Sequence, residues 1–124
     1  MNILVVDDIP LVGQLIREML EELGGHRVTV AEGKEHALQI LEESHREIDT
    51  LITDLNMPKG IEGWELIQLV RVRWPHVGCV LMSGRVEQAL ELIGGSDTVQ
   101  VLAKPVRFQD FSKVLKPQIS EPVA

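Results

Sequence analysis

The chain has 124 residues, of which 44% are hydrophobic, and a formal net charge of −7 at pH 7. This length and composition predict one domain with a packed core rather than a disordered chain. An acidic chain without a cluster of Lys and Arg is a poor match for nucleic acid or an anionic membrane, so we expect neither as a direct partner.

The N-terminal stretch and the single cysteine favour a cytoplasmic protein without membrane contact. The stretch MNILVVDD lacks the basic start of a signal peptide, and its apolar run ends at two acids. No segment approaches the roughly 18 apolar residues that span a bilayer. Cys79 has no second cysteine to pair with and lies in the apolar run CVLM, which indicates a reduced core residue.

Short apolar runs alternate with helical patterns along the whole chain. Runs rich in β-branched residues and leucine predict five strands, at residues 3–6, 27–31, 50–53, 79–82 and 99–103. Apolar residues at helical spacing predict five helices, at residues 11–23, 35–43, 64–74, 86–93 and 108–115. Pro10 suits the first turn of the first helix, and Gly24 and Gly25 suit its end.

This alternation predicts an α/β fold in which parallel strands are joined by right-handed crossovers. The first, third and fourth strands are almost wholly apolar, which is typical of central strands covered on both faces. The second and fifth carry Arg27, Thr29 and Gln100, which suits edge strands. We therefore expect a five-stranded parallel sheet of order 2-1-3-4-5, doubly wound and flavodoxin-like, with five helices. The domain is expected over residues 1–119, with a frayed tail at 120–124.

Polar residues stand at the carboxyl ends of four predicted strands, the edge where sheets of this kind bind ligands. Asp7 and Asp8 end the first strand and Asp54 ends the third, while Ser83 and Lys104 end the fourth and fifth. Local roles are the alternative: the first two acids could cap a helix, Asp54 and Ser83 could belong to turns, and Lys104 could be solvated. Because the fold brings all five to one edge, a shared site is favoured.

Three carboxylates in one crevice need compensation. Two of them about 4 Å apart repel by roughly 4 kcal/mol at an effective dielectric constant of about 20, which protonation, a lysine or a cation would relieve. Oxygen ligands suit Mg²⁺ or Mn²⁺, whereas zinc prefers His or Cys, and the four histidines show no ligand spacing. A metal that faces a lysine and a hydroxyl is suited to phosphoryl transfer onto a carboxylate.

The stretches that carry these residues resemble the receiver domain of response regulators in bacterial two-component signalling, over residues 2–116. The matching stretches are, in chain order, LVVDD, DLNMP, MSG and AKP. The resemblance implies that Asp54 is the phosphoacceptor and also a metal ligand. It implies that Asp8 binds Mg²⁺ directly, that Asp7 does so through water, and that Asn56 offers its backbone carbonyl.

The same resemblance gives roles to the remaining strand ends and to partners. Ser83 and Lys104 would contact the phosphoryl group, and the peptide bond before Pro105 would be cis. The donor would be a histidine kinase or a histidine phosphotransfer protein. Phosphorylation would switch a protein-binding surface on the fourth helix, fifth strand and fifth helix, with a phosphorylation-linked dimer as one outcome.

The resemblance therefore implies a phosphoacceptor signalling domain of a phosphorelay rather than an enzyme. Mg²⁺-dependent self-phosphorylation and self-dephosphorylation are expected. Because only residues 105–124 follow the lysine, we expect either a stand-alone receiver or one cut from a larger regulator or hybrid histidine kinase. Its downstream target would be a protein partner or a missing output domain.

Three departures from the family pattern bear on this interpretation. Val101 stands where the family often has an aromatic residue that reports phosphorylation, so an inward aromatic flip is not available. The loop PKGIEG is one residue longer than usual. The two positions that tune dephosphorylation in the family would be Asn56 and Arg85.

Three other functions are alternatives to a phosphorylated receiver domain. A metal-dependent phosphatase of the haloacid-dehalogenase type needs Asp-x-Asp after the first strand, and this chain has Asp7, Asp8 and Ile9 there. A flavodoxin-type electron carrier needs a Ser/Thr/Gly-rich phosphate loop, which does not follow the first strand. A receiver that binds partners without phosphate is disfavoured by the intact acidic set but left open by Val101.

Overall fold

The computed structural model describes residues 1–58, 60–95 and 98–115. Strands and helices alternate as the sequence predicts, and most of their ends agree within one or two residues. The elements are β1 (Asn2–Val6), α1 (Pro10–Leu23), β2 (Arg27–Ala31), α2 (Lys34–Ser44), β3 (Thr50–Asp54), α3 (Glu62–Arg73), β4 (Gly78–Ser83), α4 (Val86–Ile93), β5 (Val99–Ala103) and α5 (Phe108–Val114). A short 3₁₀ turn at His45–Glu47 was not predicted. The expected domain end at 119 and the tail at 120–124 lie outside the described residues.

The sheet is parallel throughout, and its order β2-β1-β3-β4-β5 confirms the predicted order. Its register brings the carboxyl ends of four strands to one level. Val6 pairs with Thr53, and Asp54 pairs with Met82. Within the described ranges no helix is long and apolar enough to cross a membrane.

Helices cover both faces of the sheet. Alternate residues of each strand face opposite sides, so each face carries its own apolar layer against which helices pack. On one face Leu4 and Leu51 pack against α2, α3 and α4. On the other face Ile3 and Ile52 pack against α1 and α5. Cys79 is buried in the first of these layers, and burial raises the pKa of its thiol to about 11. The predicted core role of this cysteine is therefore confirmed.

Local sequence sets the ends of α1. Pro10 occupies the first turn, where its missing N–H costs no hydrogen bond. Gly24 ends the helix with a φ of 90°, a backbone conformation that glycine adopts without steric cost. The helix thus starts two residues after Asp8 and leaves the loop between β1 and α1 short.

The start of α3 lies directly against the end of β3, and a glycine makes this approach possible. A Cβ added at Gly63 would overlap the carbonyl oxygen of Asp54 and crowd the Cα of Leu55, at 2.9 Å. The amide of Gly63 also donates a hydrogen bond to the carbonyl oxygen of Leu55, at 3.0 Å. The first turn of α3 is therefore fixed to the backbone that carries Asp54.

We predict that Gly63→Ala lowers the free energy of unfolding by about 1–3 kcal/mol, because the methyl group must displace backbone rather than a flexible side chain. This result is opposite to the helix propensity of alanine, which alone would stabilise α3. Urea denaturation measures the change. The control is Gly84→Ala, an exposed position outside the helices where no atom lies within 4 Å of an added Cβ, so we expect a change within about 0.5 kcal/mol. Equal values for the two variants would contradict the close approach.

Candidate functional site

Three carboxylates meet at the carboxyl edge of the sheet. Asp7 and Asp8 follow β1, Asp54 ends β3, and one ligand oxygen from each lies within 4.8 Å of the other two. Asp7 is 0% exposed and Asp54 7% exposed, whereas Asp8 is half-buried. Buried carboxylates are tolerated where they are paired, so their partners define the site.

Lys104 is the positive partner of this cluster. Its Nζ lies 3.3 Å from Oδ2 of Asp7 and 3.2 Å from Oδ2 of Asp54, and its side chain is 25% exposed. Its backbone N–H donates to the carbonyl oxygen of Ser83, which ties the end of β5 to β4. Lys104 is therefore a partner of the acids and not a solvated strand end. The peptide bond between Lys104 and Pro105 is cis, as the resemblance implied.

The electrostatic balance of the crevice is negative. Burial raises the pKa of the Asp54 carboxyl, the nearby charge of Lys104 opposes this rise, and the carboxylate of Asp7 adds to it. One lysine thus compensates three carboxylates only in part, and the folded protein holds Asp54 against unfavourable solvation and repulsion.

The donor set fits a hard divalent cation. All three ligand groups are carboxylates, and Asp8 is exposed enough to admit an ion from the rim. Oxygen donors with room for water suit Mg²⁺ or Mn²⁺. In the described part of the chain, no other group of three acidic, histidine or cysteine side chains is close enough to hold a metal.

Ser83 is buried at the end of β4, next to the residue that pairs with Asp54. Its hydroxyl donates to the carbonyl oxygen of Arg85 and accepts from the amide of the same residue, each at 2.9 Å. The local turn role that the sequence left open for Ser83 is thus present. The hydroxyl is committed to its own loop in this state.

The other predicted positions lie around the crevice. Asn56 is exposed in the loop after β3, and Arg85 is exposed immediately before α4. Val101 is half-buried on β5. Asp7 also accepts a hydrogen bond from the amide of Ile9, at 2.9 Å, so it supports the start of α1 while it faces the cluster.

Two residues beside Asp54 contact it although the sequence pattern does not predict the contacts. The hydroxyl of Thr53 donates to the carbonyl oxygen of Asp54 at 3.0 Å, and Gly63 packs on the same carbonyl. Thr53 is a β-branched residue in a predicted strand, where such residues are common, so the sequence gives no signal of its contact with Asp54. A glycine inside an otherwise helical stretch was the available signal for Gly63, since it is unfavourable there unless packing requires it.

Comparison with known proteins agrees with this geometry. The family model for the response regulator receiver domain matches residues 3–116. The chain belongs to the response regulator receiver domain family. It is 36% identical over 111 residues to the response regulator protein FleR of Pseudomonas aeruginosa, covering 84% of this chain and 21% of FleR. It is 33% identical over 118 residues to the transcriptional regulatory protein MalR of Bacillus subtilis, covering 92% of this chain and 48% of MalR.

A solved structure extends the comparison to the fold. The response regulator protein TrrA of Thermotoga maritima, solved in complex with Mg²⁺–BeF, superposes with a TM-score of 0.78 at 28% identity, covering 93% of this chain and 96% of TrrA. The receiver domain described here therefore has the flavodoxin-like fold of its family, and Asp7, Asp8 and Asp54 fit the family's phosphoacceptor site. It spans less than half the length of FleR and MalR.

We predict that Asp54→Asn stabilises the metal-free receiver domain at neutral pH, by about 0.5–2 kcal/mol. The folded pKa of Asp54 is raised above the ordinary value of 3.8, so the folded state binds the proton more tightly than the unfolded chain. Stability from this group is present at low pH and lost as the pH rises through the folded pKa. The gain in the variant should therefore grow with pH.

Urea denaturation in EDTA at pH 4 and pH 7 measures that gain. Glu22→Gln is the matched control, because Glu22 is exposed on α1 and its removal changes net charge equally. A gain that is equal at both pH values, or equal to that of the control, would contradict the unfavourable charge at Asp54.

A further prediction concerns cation binding. Mg²⁺ at one hundred times its dissociation constant should add about 2.7 kcal/mol to the free energy of unfolding, because it binds the folded state alone. Asp8→Asn should remove most of this increment, since it deletes the most accessible ligand, whereas Glu22→Gln should retain it. Thermal denaturation with and without Mg²⁺ provides the measurement. An unchanged increment in Asp8→Asn would place the cation elsewhere.

Proposed function

We propose that this receiver domain accepts a phosphoryl group on Asp54 from a phosphohistidine and uses it to switch a protein-binding surface. The observation that carries the proposal is the position of this carboxylate. It is 7% exposed, lies in a cluster with two further acids and is 3.2 Å from the Nζ of Lys104. A carboxylate that contacts a lysine and lies in a cluster of acids able to bind a divalent cation is suited to act as a covalent nucleophile toward phosphorus.

The reaction is a transfer between two nucleophiles. An oxygen of Asp54 forms a bond to phosphorus while the bond from phosphorus to the donor nitrogen breaks, and the imidazole leaves with the electron pair. Lys104 offsets negative charge on the phosphoryl oxygens, which it can reach because its Nζ already contacts Asp54. Hydrolysis of the resulting acyl phosphate by water returns the receiver domain to its starting state.

Asp7, Asp8, Asp54 and the backbone carbonyl of Asn56 would hold Mg²⁺ or Mn²⁺. Bound there, the cation would neutralise phosphoryl charge and lower the repulsion within the crevice. The fit of the three carboxylates supports this assignment, as does the presence of Mg²⁺–BeF in the TrrA complex.

Ser83 would couple phosphorylation of Asp54 to the loop before α4 by exchanging a hydrogen bond. A serine hydroxyl has one hydrogen to donate, and that hydrogen is now given to the carbonyl of Arg85. Donation to the phosphoryl group therefore requires the hydroxyl to leave this carbonyl, which loosens the loop before α4. The expected readout is a change on α4, β5 and α5 that alters binding of a protein partner, an output domain or a second receiver domain. With Val101 on β5, no aromatic flip contributes.

We predict a single phosphoryl adduct when the receiver domain is incubated with acetyl phosphate and Mg²⁺. Intact-mass measurement should show one adduct in the wild type and none with EDTA or in Asp54→Asn. Replacing Asp54 deletes the nucleophile and retains the shape of the side chain, so folding should persist. Glu22→Gln, which alters charge away from the crevice, should be modified like the wild type.

An adduct that persists in Asp54→Asn would assign the nucleophile to another residue. An adduct absent from the wild type, both with acetyl phosphate and with a histidine-phosphorylated donor protein, would instead favour a receiver domain that binds partners without phosphate. Continuous release of phosphate from generic phosphoesters would favour the phosphatase alternative.

A further inference from the structure

The backbone carbonyl of Asp54 is held from two sides, by Thr53 and by Gly63. Thr53 is 0% exposed, and its hydroxyl donates to this carbonyl oxygen at 3.0 Å. The Cα of Gly63 packs against the same group so closely that a Cβ there would overlap the oxygen. The two contacts come from different elements and converge on one peptide unit.

Neighbouring hydrogen bonds extend this restraint along the chain. The amide of Leu55 donates to the carbonyl oxygen of Met82 on β4, at 2.8 Å. The carbonyl of Leu55 accepts from the amide of Gly63, at 3.0 Å. The peptide after Asp54 is therefore restrained by β4 on one side and by α3 on the other, and the direction of the bond from Cα to Cβ of Asp54 is restrained with it.

We propose that Thr53 and Gly63 are positioning residues for phosphoryl transfer, acting through the carbonyl of Asp54. This inference rests on the proposed function of Asp54. The carboxylate must stay between Lys104 and the other acids, where burial and repulsion work against it. A backbone free to rotate would let the side chain relax toward solvent, and a misplacement of about 1 Å in a reacting group can lower a rate by about a hundredfold.

Thr53 permits a test that separates positioning from packing. Thr53→Val keeps the β-branched shape but removes the hydroxyl, whereas Thr53→Ser keeps the hydroxyl but removes a methyl group. If the residue acted by packing alone, the valine variant would behave like wild type and the serine variant would be impaired. Positioning through the hydrogen bond predicts the opposite order.

The measurement is the rate constant for formation of the acyl phosphate from acetyl phosphate at saturating Mg²⁺, with Mg²⁺ affinity determined separately by calorimetry. We expect Thr53→Val to lower the rate constant about tenfold. The Mg²⁺ dissociation constant should change less than threefold, since the substitution deletes none of the proposed ligands and bound Mg²⁺ tolerates a shift of one carboxylate among several oxygen ligands. Thr53→Ser should recover most of the rate. Thr50→Val is the matched control, because Thr50 is also buried but lies at the opposite end of β3, where its hydroxyl contacts the Sδ of Met1.

The outcomes separate this inference from the proposed function. A wild-type rate in Thr53→Val, or an equal loss in Thr50→Val, would overturn the positioning role while leaving Asp54 as phosphoacceptor. A loss in Thr53→Ser as large as in Thr53→Val would also overturn it, since the hydroxyl would then make no difference. If the wild type forms no acyl phosphate with either small-molecule or protein donors, the proposed function itself is contradicted.

Discussion

Unbalanced negative charge at the carboxyl edge of the sheet is the constraint that organises this receiver domain. Three carboxylates converge there, and Lys104 offers a single positive charge, at 3.3 Å from Asp7 and 3.2 Å from Asp54. A crevice of this kind is costly for a folded protein, since burial and repulsion both raise the pKa of Asp54. The remainder of the fold supplies the packing that keeps the acids together against that cost, because central strands covered on both faces give the edge a rigid base.

The two sides of the crevice differ in how firmly they are held. Beside β3, the carbonyl of Asp54 is fixed by a hydroxyl and by the close approach of α3. Beside β4, the hydroxyl of Ser83 bonds only within its own turn, and the amide oxygen of Gln88 on α4 is buried without a hydrogen-bond partner among the described residues. A buried unsatisfied oxygen costs about 1–3 kcal/mol. The end of β3 is thus tied to α3, whereas the hydroxyl of Ser83 is tied to the turn that precedes α4.

The sequence allowed the architecture and most of the site to be predicted because both depend on local patterns and on the rules of parallel sheets. Polar residues such as Arg27 and Gln100 identified the two outer strands and so predicted the strand order. That order places Asp7, Asp54 and Lys104 together at the carboxyl edge of the sheet. The contact between Gly63 and Asp54 could not be predicted in this way. It depends on the distance between a helix and the strand before it, which side-chain periodicity does not encode. The hydrogen bond of Thr53 could not be predicted either, because the strand propensity of threonine is enough to explain its presence in β3.

The hydroxyl of Ser83 can donate only one hydrogen bond at a time, and this limit, together with its position, makes it suited to act as a switch. Its single hydroxyl hydrogen can go either to the carbonyl of Arg85 or to a group in the crevice. The proposed phosphorylation would add roughly one negative charge and three strong acceptors beside this hydroxyl, which shifts the competition toward the crevice. Since Arg85 immediately precedes α4, the loss of its bond to Ser83 frees the start of that helix. The proposed switch thus requires no aromatic residue at Val101, because exchange of one hydrogen bond already couples the charge at Asp54 to the surface of the domain.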